Sequence, residues 1–312
     1  MTRKEIKMKK AVAAILLLCL TVALFACSGN AHPATENLTV VEGDYHAVKS
    51  VPAAYDYRRV SDPVPKEFTL FGKQYTLYLT EVSTRFGYYE TDHYVGSDLF
   101  LSARADTGKI VSYQTVPTYA KDCVSPVGEG STEEEYIAYA NSVILDLTGV
   151  STEGWEATVG FFSTKYKTQL ADRTDYTINK NGAMITVSEE EYEAAIGTGV
   201  TVTYRKKIGG FARCDAMTVK MSSVGEIISV NAVNYDEWFA PFASVTPDRA
   251  RIEQAVWPLA SSYTHGYSSR VEKIEMLVSD NTLWAEVFIL ITGSEGASAG
   301  VAFYVEVAKI AQ

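Results

Sequence analysis

The sequence has few of the residues and patterns on which catalysis and metal binding most often depend. It holds only four histidines, His32, His46, His93 and His265, and none stands in an H-x-x-x-H or H-x-x-E-H pattern. No serine lies in a G-x-S-x-G elbow, and no C-x-x-C occurs. These absences argue against a zinc site, an α/β-hydrolase serine and a thioredoxin-like centre. We therefore expect no enzyme activity, no catalytic residue, no metal and no cofactor.

Clustered positive charge is also lacking beyond the first ten residues. Residues 1–26 contain five of the 28 lysines and arginines and one of the 38 acids, which leaves 23 basic and 37 acidic side chains, a net charge of −14. The one basic run that follows, Arg205-Lys206-Lys207, is too short to reverse the sign. Because phosphate binding needs clustered Lys and Arg, the composition excludes nucleic acid as a partner.

The chain opens with a basic segment and an apolar run from Ala11 to Ala26, in which Thr21 is the one polar residue. The run is shorter than the roughly 20 residues that span a bilayer, and it predicts a secretory signal peptide over residues 1–26. Its end, Leu24-Phe25-Ala26-Cys27, resembles the lipobox of bacterial lipoproteins. The resemblance implies acylation of Cys27, as by palmitate, and a mature protein anchored by lipid to the outer face of the cytoplasmic membrane. The alternative is an ordinary signal peptide in which Cys27 has no role.

Two cysteines remain in the exported part of the chain, Cys123 and Cys214. An oxidising compartment permits a disulfide between them. Two buried thiols are equally consistent with the sequence, since free cysteines often pack in protein interiors. Both alternatives stay open.

Residues 28–65 lack sustained periodicity and carry four prolines, which predicts a tether with one short strand near Leu38–Val41. Strand patterns dominate from Glu67 onward. We therefore divide the chain into a signal peptide (1–26), a lipid-anchored tether (27–65) and two folded units (66–155 and 156–312).

A nineteen-residue segment occurs twice without a gap. Asp98–Val116, "DLFLSARADTGKIVSYQTV", aligns with Asp215–Val233, "DAMTVKMSSVGEIISVNAV". Each copy predicts two strands joined by a turn that contains glycine. The repeated Asp98 and Asp215 suggest paired carboxylates, but their place at strand starts favours turn or capping roles.

A helix is predicted after each copy. Ser131 and Glu134 form a capping box at the start of the first helix, and Gly149 lies just past its end. In the second helix Thr246 is the predicted N-cap, and Pro258 predicts a kink or an early end. The alternation of hairpin, helix and antiparallel strands predicts an α+β fold of two tandem units, each an antiparallel sheet with a helix packed on one face.

The segment "YRKKIGGFARCDAMTVKMSSVGEIISV" (Tyr204–Val230), with the related "TGKIVSY" and a capped helix after each copy, resembles the PepSY and protease-propeptide repeats of exported Gram-positive proteins. The resemblance covers residues 85–150 and 200–310. It implies binding, chiefly the holding or inhibition of peptidases or the regulation of a sensor, with an extracellular protein or peptide as partner. It supplies no catalytic residues.

The segment "YDEWFAPF" concentrates the aromatic residues Tyr235, Trp238, Phe239 and Phe242 between the second hairpin and its helix. These side chains either cover the sheet edge and the helix or form a contact patch for a partner.

Three functions follow from the sequence. The leading expectation is a lipid-anchored, non-catalytic binding or regulatory protein outside the cytoplasmic membrane. The alternative is a substrate-binding lipoprotein of a transporter, a class built from strands and helices that alternate around a parallel sheet. A hydrolase whose site is assembled from scattered residues is the third.

Overall fold

Strands that alternate apolar and polar residues make up most of the chain. The computed structural model describes residues 38–51, 55–85, 88–115, 123–163, 165–180, 183–194, 198–264, 267–292 and 298–311. Residues 39–312 form one compact unit. The predicted signal peptide, Cys27, His32 and His265 lie outside the described residues.

The strands are β1 Val40–Glu42, β2 Ala47–Val48, β3 Tyr55–Leu70, β4 Lys73–Arg85, β5 Glu90–Val95, β6 Leu99–Arg104, β7 Ile110–Thr115, β8 Glu156–Ser163, β9 Lys165–Gln169, β10 Thr174–Lys180, β11 Ala183–Thr186, β12 Thr198–Ile208, β13 Phe211–Ser222, β14 Ile227–Ala232, β15 Ser268–Ser279, β16 Thr282–Thr292 and β17 Ser298–Ile310. The helices are α1 Glu133–Thr148, α2 Glu189–Ala194, α3 Asp236–Phe239 and α4 Arg249–Thr264, with a 3-10 turn at Ala240–Phe242. None of these helices is long and apolar enough to cross a membrane.

The predicted α+β fold of two tandem units is wrong. The described residues are mostly β, with 56% in strands against 18% in helices, and they build one large mixed sheet. Within the described residues this sheet has 14 strands. Eleven follow one another in the order β1-β17-β16-β15-β13-β14-β7-β6-β5-β4-β3. The other three lie beside this path: β12 pairs with β13, β8 pairs with β12, and β2 pairs with β17. Strands β9, β10 and β11 form a separate small sheet.

The reason for this error is that strands from the two halves of the chain satisfy each other's backbone groups. Strand β7 pairs with β14 through Tyr113 and Val230, which joins the two repeated hairpins edge to edge. Strand β13 carries β12 on one side, and on the other it pairs first with β15, in parallel, and then with β14. Local sequence pattern predicts the hairpins but not which edges meet.

The first core lies under α1, on one face of the sheet. Its clearest feature is a row of apolar residues that are paired from strand to strand across eight strands. The row runs Leu79, Tyr94, Leu101, Tyr113, Val230, Val219, Val202 and Val159. Helix α1 covers this face with the fully buried Ala140 and Ile144.

The second core packs α4 against β15, β16 and β17. Ile252, Val256 and Ala260 of the helix are fully buried there. The helix does not end early at Pro258. A proline has no N–H to donate to the carbonyl one turn earlier. Because Pro258 lies on the exposed side of α4, that carbonyl can bind water instead.

The ends of α1 are close to the prediction but one residue out at the start. Thr132, rather than Ser131, is the N-cap: it accepts a hydrogen bond from the Glu135 N–H (3.3 Å), and the Glu135 carboxylate accepts one from the Thr132 N–H (2.8 Å). Gly149 ends the helix in the left-handed conformation, with φ 71°. Helix α4 is likewise capped by Asp248 instead of Thr246.

The N-terminal strands include residues that were assigned to the tether. Strand β1 lies at residues 40–42, where a short strand was predicted, and pairs with β17. Strand β3 begins at Tyr55 and contains Pro63 and Pro65. Both prolines are tolerated because β3 lies at the edge of the sheet and pairs with β4 alone.

Candidate ligand-binding face

The face of the sheet opposite the first core carries two rows of residues that are paired across the same eight strands, and we call them together the open face. The first row is Glu81, His93, Ser102, Ser112, Asn231, Thr218, Thr203 and Thr158. The second row is Tyr78, Val95, Phe100, Gln114, Ser229, Lys220, Thr201 and Gly160. The apolar row of the first core runs between them on the other side, as the two-residue period of strands requires.

Charge is scarce on the open face. Only Glu81 and Lys220 among its sixteen positions are ordinarily charged, although 21% of the whole chain is charged. Small hydroxyl and amide side chains occupy most of the other positions. Antiparallel sheets commonly leave one face to solvent, and a face of mostly neutral polar side chains can also serve as a contact surface, since the centre of an interface is depleted of charge.

A groove of about 480 Å³ opens on this face where β4, β5, β6, β7 and β14 lie side by side. Its floor includes the open-face residues His93, Ser102, Ser112 and Asn231. Residues of the wall are Tyr88, Tyr89 and Tyr235. Its size falls in the range of roughly 300–1,000 Å³ that small-ligand sites occupy.

His93 is held by two hydroxyls at one end of the groove. Ser83 Oγ lies 2.7 Å from His93 Nε2, and Ser102 Oγ lies 2.9 Å from Nδ1. Burial lowers the pKa of His93 below its ordinary value, against the opposing attraction of Glu81 and Asp92. The imidazole is therefore neutral near pH 7, so that one ring nitrogen donates to a serine and the other accepts from a serine.

This arrangement lacks the group that usually supports a nucleophilic serine. In a Ser-His-Asp triad a carboxylate binds Nδ1 and stabilises the imidazolium that forms. Here Nδ1 meets the Ser102 hydroxyl instead, and Ser83, near the end of β4, is only 9% exposed. The geometry suits a fixed hydrogen-bonding position better than proton abstraction.

The tyrosines of the wall lie close together. The rings of Tyr88 and Tyr235 lie 3.9 Å apart between centroids, and Val278 N–H donates to the Tyr88 hydroxyl at 2.9 Å. Burial raises the pKa of Tyr88, with a further contribution from Cys214. Burial likewise raises the pKa of Tyr89 to about 12, although the Arg104 guanidinium opposes this.

A buried ion cluster lies behind this wall. Arg213 Nε donates to Asp215 Oδ1 at 2.8 Å and Arg213 Nη1 donates to Asp236 Oδ1 at 2.7 Å, while Lys206 Nζ donates to Asp236 Oδ2 at 2.8 Å. Asp215 also accepts the Tyr235 N–H at 2.9 Å. Arg213 and Asp215 are 5% and 1% exposed, so this pair cannot reach a ligand, and it fixes β13 to the start of α3. Asp236 and Lys206 are partly exposed and line a second groove.

No protein family model, no curated protein and no solved structure matches the chain. The resemblance to PepSY and propeptide repeats therefore stays a prediction. The geometry of the molecule has to carry the functional argument.

Of the two alternatives for the cysteines, the structure shows two free thiols. No disulfide links Cys123 and Cys214. Cys214 packs against the second core, whereas Cys123 lies at a different cavity beside Tyr139.

The aromatic segment contributes to packing. Tyr235, Phe239 and Phe242 are 5%, 3% and 0% exposed, and Trp238 is half-buried. The sequence left open whether these side chains cover the sheet or form a contact patch for a partner. Their burial matches the first alternative. No group of three or more His, Cys, Asp or Glu residues suited to a metal ion occurs in the part of the chain that is described.

Sequence reasoning missed His93, Ser83 and the rest of the open face. His93 was judged by its distance in sequence from the other histidines, but its partners come from neighbouring strands. The available signal was alternation on the two neighbouring strands: "LFLSARA" and "IVSYQ" each place a serine between apolar residues, whereas "TDHYV" around His93 does not show it.

Proposed function

We propose that this protein is a lipid-anchored, non-catalytic binding module outside the cytoplasmic membrane, and that the open face is its contact surface. The observation that carries the proposal is the groove of about 480 Å³ on this face, which is lined by neutral hydroxyl, amide and imidazole side chains in a strongly acidic protein. Cys27 provides the anchor in this proposal.

The mixed sheet supports a binding module over the transporter alternative. Substrate-binding lipoproteins of transporters are built around parallel sheets with alternating helices. Among the strands described, β13 and β15 form the one parallel pair, over Ala212 and Arg213. The hydrolase alternative has a sharper test, since a serine-reactive fluorophosphonate should leave Ser83 unlabelled if the protein is not catalytic.

Hydroxyl-radical footprinting tests the contact surface without knowledge of the ligand. The oxidation of Tyr78 and Phe100 on the open face is compared between the purified protein and the same protein in intact cell envelopes. We expect both to be protected several-fold in envelopes. Phe161, which is 65% exposed on the opposite face, should be oxidised equally in both.

Equal oxidation of all three residues in the two samples would contradict the proposal. The anchor has its own test: labelled palmitate should enter the wild-type protein and not the Cys27→Ser variant. Incorporation into that variant would place the lipid elsewhere.

A further inference from the structure

Two exposed aromatic rings stand in one row of the open face. Tyr78 on β4 is 46% exposed and Phe100 on β6 is 49% exposed. The half-buried Val95 on β5 lies between them, paired with both. Because adjacent strands lie roughly 4.8 Å apart, the two aromatic residues are separated by about 9.6 Å across the sheet.

Groups that both donate and accept hydrogen bonds border these rings. Gln114 is paired directly with Phe100, and the neighbouring row presents Ser102, Ser112 and Asn231. Hydroxyl and amide groups can each do both. A ligand that lies on the rings would therefore meet neutral polar partners along β6, β7 and β14, with the Glu81 carboxylate at the β4 end of the same row.

The charge of the surface restricts the class of ligand. The open face has one acid and one base among sixteen positions, so it offers little to a charged polymer. The chain beyond residue 26 has a net charge of −14, which repels polyanions at longer range.

A sugar ring has the chemistry that matches this surface, because its faces carry C–H groups and its rim carries hydroxyls. We infer that the open face binds an uncharged polysaccharide whose chain runs across the strands, with the rings of Tyr78 and Phe100 stacked under alternate sugars. This inference rests on the proposed binding function and names its ligand. The rise per sugar of an extended β-linked chain is close to the spacing of strands, so a separation of two strands brings a ring under every second sugar.

A peptide is a poorer match for the same surface. Peptides that bind to sheets usually add as a strand at an edge, where backbone groups are unpaired. Strands β5, β6 and β7 are paired on both sides. Side-chain docking needs apolar pockets, but from β7 to β12 both rows of the open face hold only polar side chains.

Isothermal titration calorimetry tests the inference on the full-length protein in detergent, with cellohexaose, chitohexaose and xylohexaose as probes. We expect at least one to bind. Phe100→Ala and Tyr78→Ala should each weaken that binding about tenfold, because each removes an apolar surface that the sugar covers. Phe161→Ala is the matched control, and it should bind as the wild type does.

The outcomes separate this inference from the proposed function. If no uncharged oligosaccharide binds while footprinting still shows protection of the open face, the polysaccharide inference is wrong and the binding module stands. If an oligosaccharide binds equally to the wild type and both open-face variants, the inference is wrong because the ligand lies elsewhere. Absence of both binding and protection removes both proposals.

Discussion

The two repeated hairpins are alike in sequence and lie side by side, yet they present their residues differently. Asp98–Val116 and Asp215–Val233 align without a gap, and their second strands, β7 and β14, pair antiparallel. Tyr113 and Val230, which occupy the same place in the two copies, face each other at the centre of this pairing. A pseudo-two-fold axis therefore passes between them, and both second strands keep the same side toward the first core.

The first strands do not follow this symmetry, because their registers differ by one residue. In the first hairpin Ala103 pairs with Ile110, and in the second Met221 pairs with Ile227. A shift of one residue moves every side chain of a strand to the other face. Leu101 and Ala103 are buried, whereas the residues at the same places in the second copy, Thr218 and Lys220, lie on the open face.

The turn causes the shift. In the first hairpin the Arg104 N–H donates to the Lys109 carbonyl across four residues, and in the second the Ser222 N–H donates to the Glu226 carbonyl across three. Loop length fixes hairpin register. An ungapped alignment thus hides a structural difference that decides which residues can meet a ligand. Three substitution pairs test this comparison, and a fourth tests the histidine on the open face.

The largest difference is expected at the repeated aspartates. Asp215→Ala should lower the free energy of unfolding by about 3–5 kcal/mol, because it leaves the buried Arg213 without its main partner. Asp98→Ala should cost under about 0.5 kcal/mol, since Asp98 is exposed. Urea denaturation followed by tryptophan fluorescence measures both. Similar losses for the two variants would contradict the conclusion that equivalent residues of β6 and β13 lie on opposite faces of the sheet.

The equivalent positions Met217 and Phe100 should also differ. Met217→Ala is expected to cost about 2–4 kcal/mol, because Met217 is 0% exposed and its removal leaves a cavity. Phe100→Ala should cost under about 1 kcal/mol, since the ring is half exposed. The same denaturation experiment checks the pair, and a larger loss for Phe100→Ala would contradict the assignment of faces.

The turn glycines offer a third pair. A Cβ at Gly225 would lie 2.3 Å from the Val127 carbonyl oxygen, whereas a Cβ at Gly108 would meet nothing within 4 Å. Both have positive φ. Gly108→Ala should therefore cost about 1 kcal/mol, for the left-handed backbone alone, and Gly225→Ala about 2–3 kcal/mol. Thermal melting of both variants measures the difference, and equal shifts would contradict this account.

The smallest effect is expected from acidification at His93. Its folded-state pKa lies below the unfolded value of about 6.5, so the unfolded state binds the proton first and stability falls as the pH drops below about 7. The urea midpoint of the wild type, measured from pH 7 to pH 5, should fall more steeply than that of His93→Gln. His46→Gln, at an exposed histidine, is the control and should follow the wild type. Parallel curves for all three proteins would rule out a role for His93.

Local structure could be predicted from the sequence where one short segment decides the outcome. Gly149 ends α1 as expected, and the turn at Asp280-Asn281 has positive φ at both residues, as a tight hairpin requires. The cap of α1 was one residue out because Thr132 and Glu135 satisfy the same S/T-x-x-E pattern as Ser131 and Glu134. When two neighbouring residues can both cap a helix, the packing of the helix decides which one does so.

The sheet and the open face could not be predicted in the same way. The pairing of Ser112 with Asn231 joins strands from the two copies of the repeat, and no local pattern names the partner of an edge. His93 reaches Ser83 and Ser102 across β4, β5 and β6, and each of these strands alone shows only alternation. The rows of the open face run across the strands, so they can be identified only when the pairing register of each strand with its neighbours is known.

The pairing of β1 with β17 places Val40 opposite Ile310. One strand of the sheet therefore has no partner until almost the whole chain is present. Contacts between residues so distant in sequence slow folding, because the entropy of closing the loop is lost before the contact forms. A chain that is synthesised from its N-terminal end holds β1 unpaired until β17 emerges, so the sheet is completed only after nearly the whole chain is free.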